Sequence, residues 1–230
     1  MKKQNMRIGG IPAILWGEPS EHVYLHVHGK QSCKELAEEF AQIAQEKGFQ
    51  TLSFDLPQHG ERREEPTPCD IVNGMHDLRV MSGHIFSHWK HASLYACSLG
   101  AYFSLQTFAR EPFECCLFQS PIVDMEALVR QMMVWFDVTP ERLERERRIE
   151  TPIDTLDWEY YGFIQSHPVA AWPVPTRILY AGRDALQTPE TMRTFARRFG
   201  CALTVAQESE HPFMGEADGP IVRAWLWENI

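Results

Sequence analysis

The stretch Ser93-Leu94-Tyr95-Ala96-Cys97-Ser98-Leu99-Gly100-Ala101 decides how the rest of the chain is read. Residues 93–97 are β-rich and read as a strand, and residues 99–110 carry a helical pattern, so Ser98 stands where a strand turns straight into a helix. A turn that tight holds its central residue in a strained conformation. Larger side chains flanking it would collide with the neighbouring strand or helix, which accounts for Ala96 and Gly100.

Working outward, the same alternation recurs. Residues 8–16 read as a hairpin turned at Gly9-Gly10, and residues 23–27 as a strand ending at Gly29. Between residues 34 and 47 apolar side chains fall at positions 36, 37, 40, 43 and 44, one face of a 3.6-residue period, and Gly48 is placed to stop that helix. Residues 49–55 are again strand-like and are broken by Pro57 and Gly60. Further on, residues 70–90 look helical, 115–119 and 177–181 extended, 189–199 helical with Met192, Phe195, Ala196 and Phe199 on one face, 202–206 extended and 219–229 helical. Strand and helix in turn predict an α/β chain: a mostly parallel sheet with helices on both faces and ligands beyond the carboxyl ends of the strands. Residues 121–175 break the rhythm. They show no convincing strand, two helical stretches at 125–136 and 140–150, and a cluster of large aromatics, and so read as a helical insertion between a first core part, 1–120, and a second, 176–230.

Composition narrows the function. The 230 residues, 44% hydrophobic and 23% charged, suit one globular domain, large enough to bury roughly 70–75% of its unfolded surface. A net charge of −9 repels phosphate backbones, which argues against nucleic acid as a partner. No run of 18 apolar residues offers a membrane span, and Met1 to Arg7 has basic residues without a following apolar stretch, so a secretory signal is not expected. Six cysteines with no CxxC pair suit a reducing cytoplasm.

The junction at Ser98, Ala96-Cys97-Ser98-Leu99-Gly100, resembles the nucleophile elbow of the α/β-hydrolases, with Ala96 where the family usually has glycine. Asp184, in Ala181-Gly182-Arg183-Asp184, and His211, in Glu208-Ser209-Glu210-His211-Pro212, each follow a predicted strand. Ser, Asp, His is the family's chain order. The resemblance implies a fold, the α/β-hydrolase fold with a helical cap at 121–175, and a triad in which Ser98 attacks, His211 carries the proton and Asp184 orients the imidazole. His28-Gly29-Lys30-Gln31 resembles the family's oxyanion loop, which implies the backbone N–H groups of Lys30 and Leu99 as the donors. Asp55-Leu56-Pro57-Gln58-His59-Gly60 resembles a turn that many members carry after the next strand, assigned here to loop architecture.

Other residues compete for roles. Some members place the acid after the strand that ends here at Gln119, where Asp124 stands, but Asp124 is expected to cap the next helix. Cys97 is expected to pack under the sheet. His84-x-x-x-His88 lacks the Glu of H-E-x-x-H, and neither it, His91, nor His26 with His28 is expected to hold a metal. The expected activity is cleavage of a small carboxylic ester or thioester through an acyl-serine, with no cofactor. Substrate-lining candidates come from the insertion: Trp135, Trp158, Tyr161 and Trp172, with Phe136, Tyr160 and Phe163 also available. Peptidases and C–C hydrolases use the same triad, and the fold also serves non-catalytic ligand-binding or interaction proteins; the sequence does not choose among them.

Overall fold

The computed structural model describes every residue from Met1 to Ile230. Strands β1 (Lys3–Ile8) and β2 (Ile11–Trp16) form the hairpin at Gly9-Gly10. Its turn needs φ near +58° and +87°, values glycine adopts without strain. The chain then winds through β3 (His22–Val27), α1 (Glu38–Glu46), β4 (Gln50–Phe54), α2 (Ile71–His88), β5 (His91–Cys97), α3 (Leu99–Thr107) and β6 (Cys116–Gln119). After an excursion it returns as β9 (Thr176–Ala181), α7 (Pro189–Phe199), β10 (Ala202–Ala206) and α8 (Asp218–Asn229).

One sheet takes all eight of these strands in the order β1-β2-β4-β3-β5-β6-β9-β10. β1 and β2 run antiparallel to their neighbours and the rest are parallel. Side-chain alternation along each strand divides the core in two. Val23, Leu25, Val27, Leu94 and Ala96 face α2, α3 and α7, whereas Tyr24, Tyr95, Leu117 and Leu179 face α1 and α8. Strand order reverses between β3 and β5: the chain leaves β3 to one side for β4 and then crosses back to β5. The loops after β3 and β5 therefore diverge and leave a crevice at their carboxyl ends. Register pairs Val27 with Ala96, so the segments beginning at His28 and Ser98 emerge side by side.

Two readings need correction. The helix expected across 34–47 begins as a single 3-10 turn, Lys34–Ala37, because the buried Lys34 ammonium turns inward to Asp55, 2.7 Å away. Residues 121–175, in which no strand is expected, hold α4 (Met125–Trp135), α5 (Pro140–Glu146), a two-stranded ribbon of β7 (Arg148–Glu150) and β8 (Thr155–Asp157), and α6 (Trp158–Ser166). Arg147, with φ +66°, ends α5 before the expected boundary and turns the chain into β7. The ribbon strands have three residues each, too short for a period-2 pattern to stand out among charges.

Candidate active site

Ser98 occupies φ +50°, ψ −118°, a conformation costly for any residue with a Cβ. The surroundings impose it. Ser98 N–H donates to Gln119 O (3.2 Å), and its carbonyl accepts from Ala101 N–H (3.1 Å) and Ile122 N–H (3.2 Å). A Cβ on Gly100 would lie 2.4 Å from His28 O, so only glycine lets α3 approach the β3 loop this closely. Ala96 is fully buried within the core, which tolerates its methyl.

The other triad candidates arrive on loops after β9 and β10, which are neighbours in the sheet. Gly182 N–H donates to Ala206 O (2.7 Å) and Arg183 N–H to Ser209 O (2.9 Å), lashing the two loops together. His211 Nδ1 lies 2.9 Å from Asp184 Oδ2, and its Nε2 lies 2.8 Å from Ser98 Oγ. The carboxylate fixes the tautomer: Nδ1 carries the hydrogen and Nε2 is free to accept from the hydroxyl. Asp184 Oδ1 accepts from Leu186 N–H (2.7 Å) and Gln187 N–H (3.2 Å), which aims Oδ2 at the ring. Asp124 is elsewhere. It caps α4 by accepting from Ala127 N–H at 2.9 Å.

Lys30 N–H meets no protein acceptor, and Leu99, first in α3, has an N–H without a partner in its own helix. Two histidines fix the loop carrying Lys30. His28 Nε2 accepts from Leu56 N–H (3.1 Å) and His59 Nε2 from Gln31 N–H (3.0 Å), while their Nδ1 atoms reach Gly29 O (2.7 Å) and Pro57 O (2.8 Å). Both rings are thus neutral. Burial pushes the His28 imidazole down to about 4 and lowers that of His59. Behind them Asp55 receives Lys34 Nζ, Lys34 N–H and Glu61 N–H. The Asp55 motif expected to serve architecture therefore braces the neighbouring loop, a role its residue types alone did not disclose.

Beside Ser98 lies a cavity of about 110 Å³ whose apolar wall includes Met125, Leu128, Val129 and Met132 of α4 with Leu156 and Leu186. Of the aromatic candidates only Tyr160 reaches it. Trp135 is 40% exposed at the end of α4, and Trp172 is buried against Phe118, its Nε1–H donating to Thr176 Oγ1 at 2.7 Å. Trp158 and Tyr161 pack together in the insertion. α4 supplies the missed residues. Its apolar face was legible as a helix stripe, but which neighbour that stripe would cover was not. Burial pushes the Cys97 thiol up to about 12. The rings of His84 and His88 lie tilted against each other on α2, whereas His91 joins His22 and Glu114 at the amino ends of the strands, with ligand atoms within 4.8 Å of one another.

No protein-family model and no curated protein matches the sequence. Solved structures do match. Est1E from Butyrivibrio proteoclasticus, with ferulic acid bound, superposes at a TM-score of 0.81 with 16% identity over 98% of this chain and 96% of that one. The mouse alpha/beta hydrolase domain-containing protein 10 gives 0.77 at 12% identity over 99% and 98%. A thioesterase domain from the curacin biosynthetic pathway gives 0.63 at 15% identity over 98% of each. The chain has the α/β-hydrolase fold, as the elbow at Ser98 led one to expect.

Proposed function

We propose that the protein is a serine hydrolase that cleaves a small carboxylic ester or thioester through an acyl-serine intermediate. The observation that carries this reading is the unbroken chain Ser98 Oγ, His211 Nε2, His211 Nδ1, Asp184 Oδ2, with links of 2.8 and 2.9 Å. His211 takes the hydroxyl proton as Ser98 Oγ attacks the carbonyl carbon, and Asp184 stabilises the resulting imidazolium. The carbonyl oxygen becomes an oxyanion, for which Lys30 and Leu99 N–H are the donors at hand, each worth about 2.7–4 kcal/mol. On collapse, the leaving oxygen or sulfur takes the proton from His211. Water then repeats the sequence against the acyl-serine, with His211 again as base, and releases the acid.

The insertion is read as a cap, because residues of 121–175, from α4, the β7–β8 ribbon and α6, furnish most of the cavity wall beside Ser98. An apolar cavity favours acyl or aryl groups that leave water, at about 0.8 kcal/mol for each buried methylene until it is full. The ferulic acid held by Est1E and the thioesterase domain are compatible with both bond types and select neither. The test is turnover of a panel of 4-nitrophenyl acyl esters and acyl thioesters by wild type and Ser98→Ala. Wild type should hydrolyse at least one member, and the variant should lose about 10³-fold or more with an unchanged far-UV spectrum. Retention of a tenth of the activity by Ser98→Ala would reject the mechanism.

A further inference from the structure

The apolar cavity shares part of its wall with a second one of about 310 Å³, of opposite character, lined on its far side by Gln31, Gln58, His59 and Arg63. The partition includes Lys30 and Asp154, which border both. Lys30 Nζ lies 2.5 Å from Asp154 Oδ2 and donates to Ile153 O at 3.2 Å, so the loop after β3 holds down the turn of the β7–β8 ribbon. The Lys30 and Asp154 side chains are 36% and 52% exposed, and an ion pair that open is cheaply exchanged for another. Arg63 has no carboxylate within ion-pairing distance. His59 brings no charge of its own, since both ring nitrogens are engaged with backbone. In a chain of net charge −9 this second cavity thus holds an unmatched guanidinium, a planar fork suited to an oxyanion.

We infer that the substrate is bipartite: an apolar group on one side of its scissile carbonyl fills the cavity under α4, and an anionic group on the other pairs with Arg63, displacing Asp154 from Lys30. The inference rests on Ser98 being the nucleophile, and it assigns Lys30, Asp154 and Arg63 to substrate selection. Opposite signs follow for two substitutions. Arg63→Gln removes the anion's partner, whereas Asp154→Asn removes its competitor.

The test compares kcat/KM within two substrate pairs. Phenyl butyrate and 3-carboxyphenyl butyrate differ by an anion on the leaving group; ethyl pentanoate and monoethyl glutarate differ by one on the acyl group. In the pair whose geometry matches, the anionic ester should be preferred about fivefold or more at low ionic strength, and less as salt rises. Arg63→Gln should bring the ratio toward one, and Asp154→Asn should raise it. Calorimetric titration of Ser98→Ala with the same esters reads the preference without turnover. An Arg63-dependent preference there, with no hydrolysis by wild type, would count against Ser98 as nucleophile and so overturn the bipartite substrate, leaving only an anion subsite at Arg63. Equal kcat/KM within both pairs, or a ratio that both substitutions move in the same direction, would overturn the bipartite site while leaving the serine mechanism standing.

Discussion

Asp184 and Asp124 carry the same side chain after neighbouring strands, and their partners separate them. Asp184 gives one oxygen to His211 and the other to the Leu186 and Gln187 N–H groups, whereas Asp124 spends its carboxylate on the first turn of α4. Asparagine at 184 would still receive the loop N–H groups but would hold His211 in the wrong tautomer, and kcat for ester turnover is expected to fall by about 10⁴-fold. Asp124→Asn should leave kcat near wild type, because asparagine caps a helix as well as aspartate does. Steady-state rates of the two variants check this ranking, and the reverse order would move the acid to Asp124. Cys97 precedes Ser98 and packs, partly buried, against the cluster that faces α1 and α8. With its thiol raised to about 12 by burial, iodoacetamide at neutral pH should leave ester turnover largely intact. Tyr160 Oη is buried with no hydrogen-bond partner, so Tyr160→Phe should raise stability by up to about 1 kcal/mol in denaturant unfolding.

The elbow was legible because sterics at one turn constrain a few consecutive residues, Ala96 through Gly100, and such constraints are written locally. The bracing of the loop after β3 was not. His28 and His59 lie 31 positions apart and do their work through backbone N–H groups that every residue possesses, so their identity alone says nothing about their partners. Their neutrality has a pH consequence. The His28 imidazole is held near 4, and that of His26, buried against Phe40 and Tyr95, near 3, against an ordinary value of 6.5. Between those limits the unfolded chain binds more protons than the folded one, so stability is fully present above 6.5 and declines as the pH falls toward 4 and below. Thermal melts across this range should show that loss, and His26→Phe should make it shallower. Gly100→Ala is expected to cost both stability and rate, because the new methyl would press on the His28 and Val27 carbonyls and push α3 away from the loop after β3.

At the scale of the whole molecule, the order of strands explains why residues from every part of the chain meet. Reversal between β3 and β5 opens the crevice, and the Asp184 and His211 loops reach it from the β9 and β10 side of the sheet. Alternating strands and helices made this architecture readable, whereas the interior of residues 121–175 was not, because its ribbon is short and its aromatics serve packing as readily as a pocket. Trp172→Ala should therefore cost about 3–5 kcal/mol of stability and leave the preferred acyl length unchanged. Met132→Ala should enlarge the cavity and shift that preference toward longer acyl groups. Beneath all of this stands one claim, that His211 makes Ser98 a nucleophile, and the rate of fluorophosphonate labelling followed by intact-protein and peptide mass spectrometry tests it most directly. The account predicts a single adduct on Ser98, none in Ser98→Ala, and labelling slowed about a thousandfold or more in His211→Gln. Wild-type protein that stays unlabelled, carries the adduct elsewhere, or labels no faster than His211→Gln would contradict it.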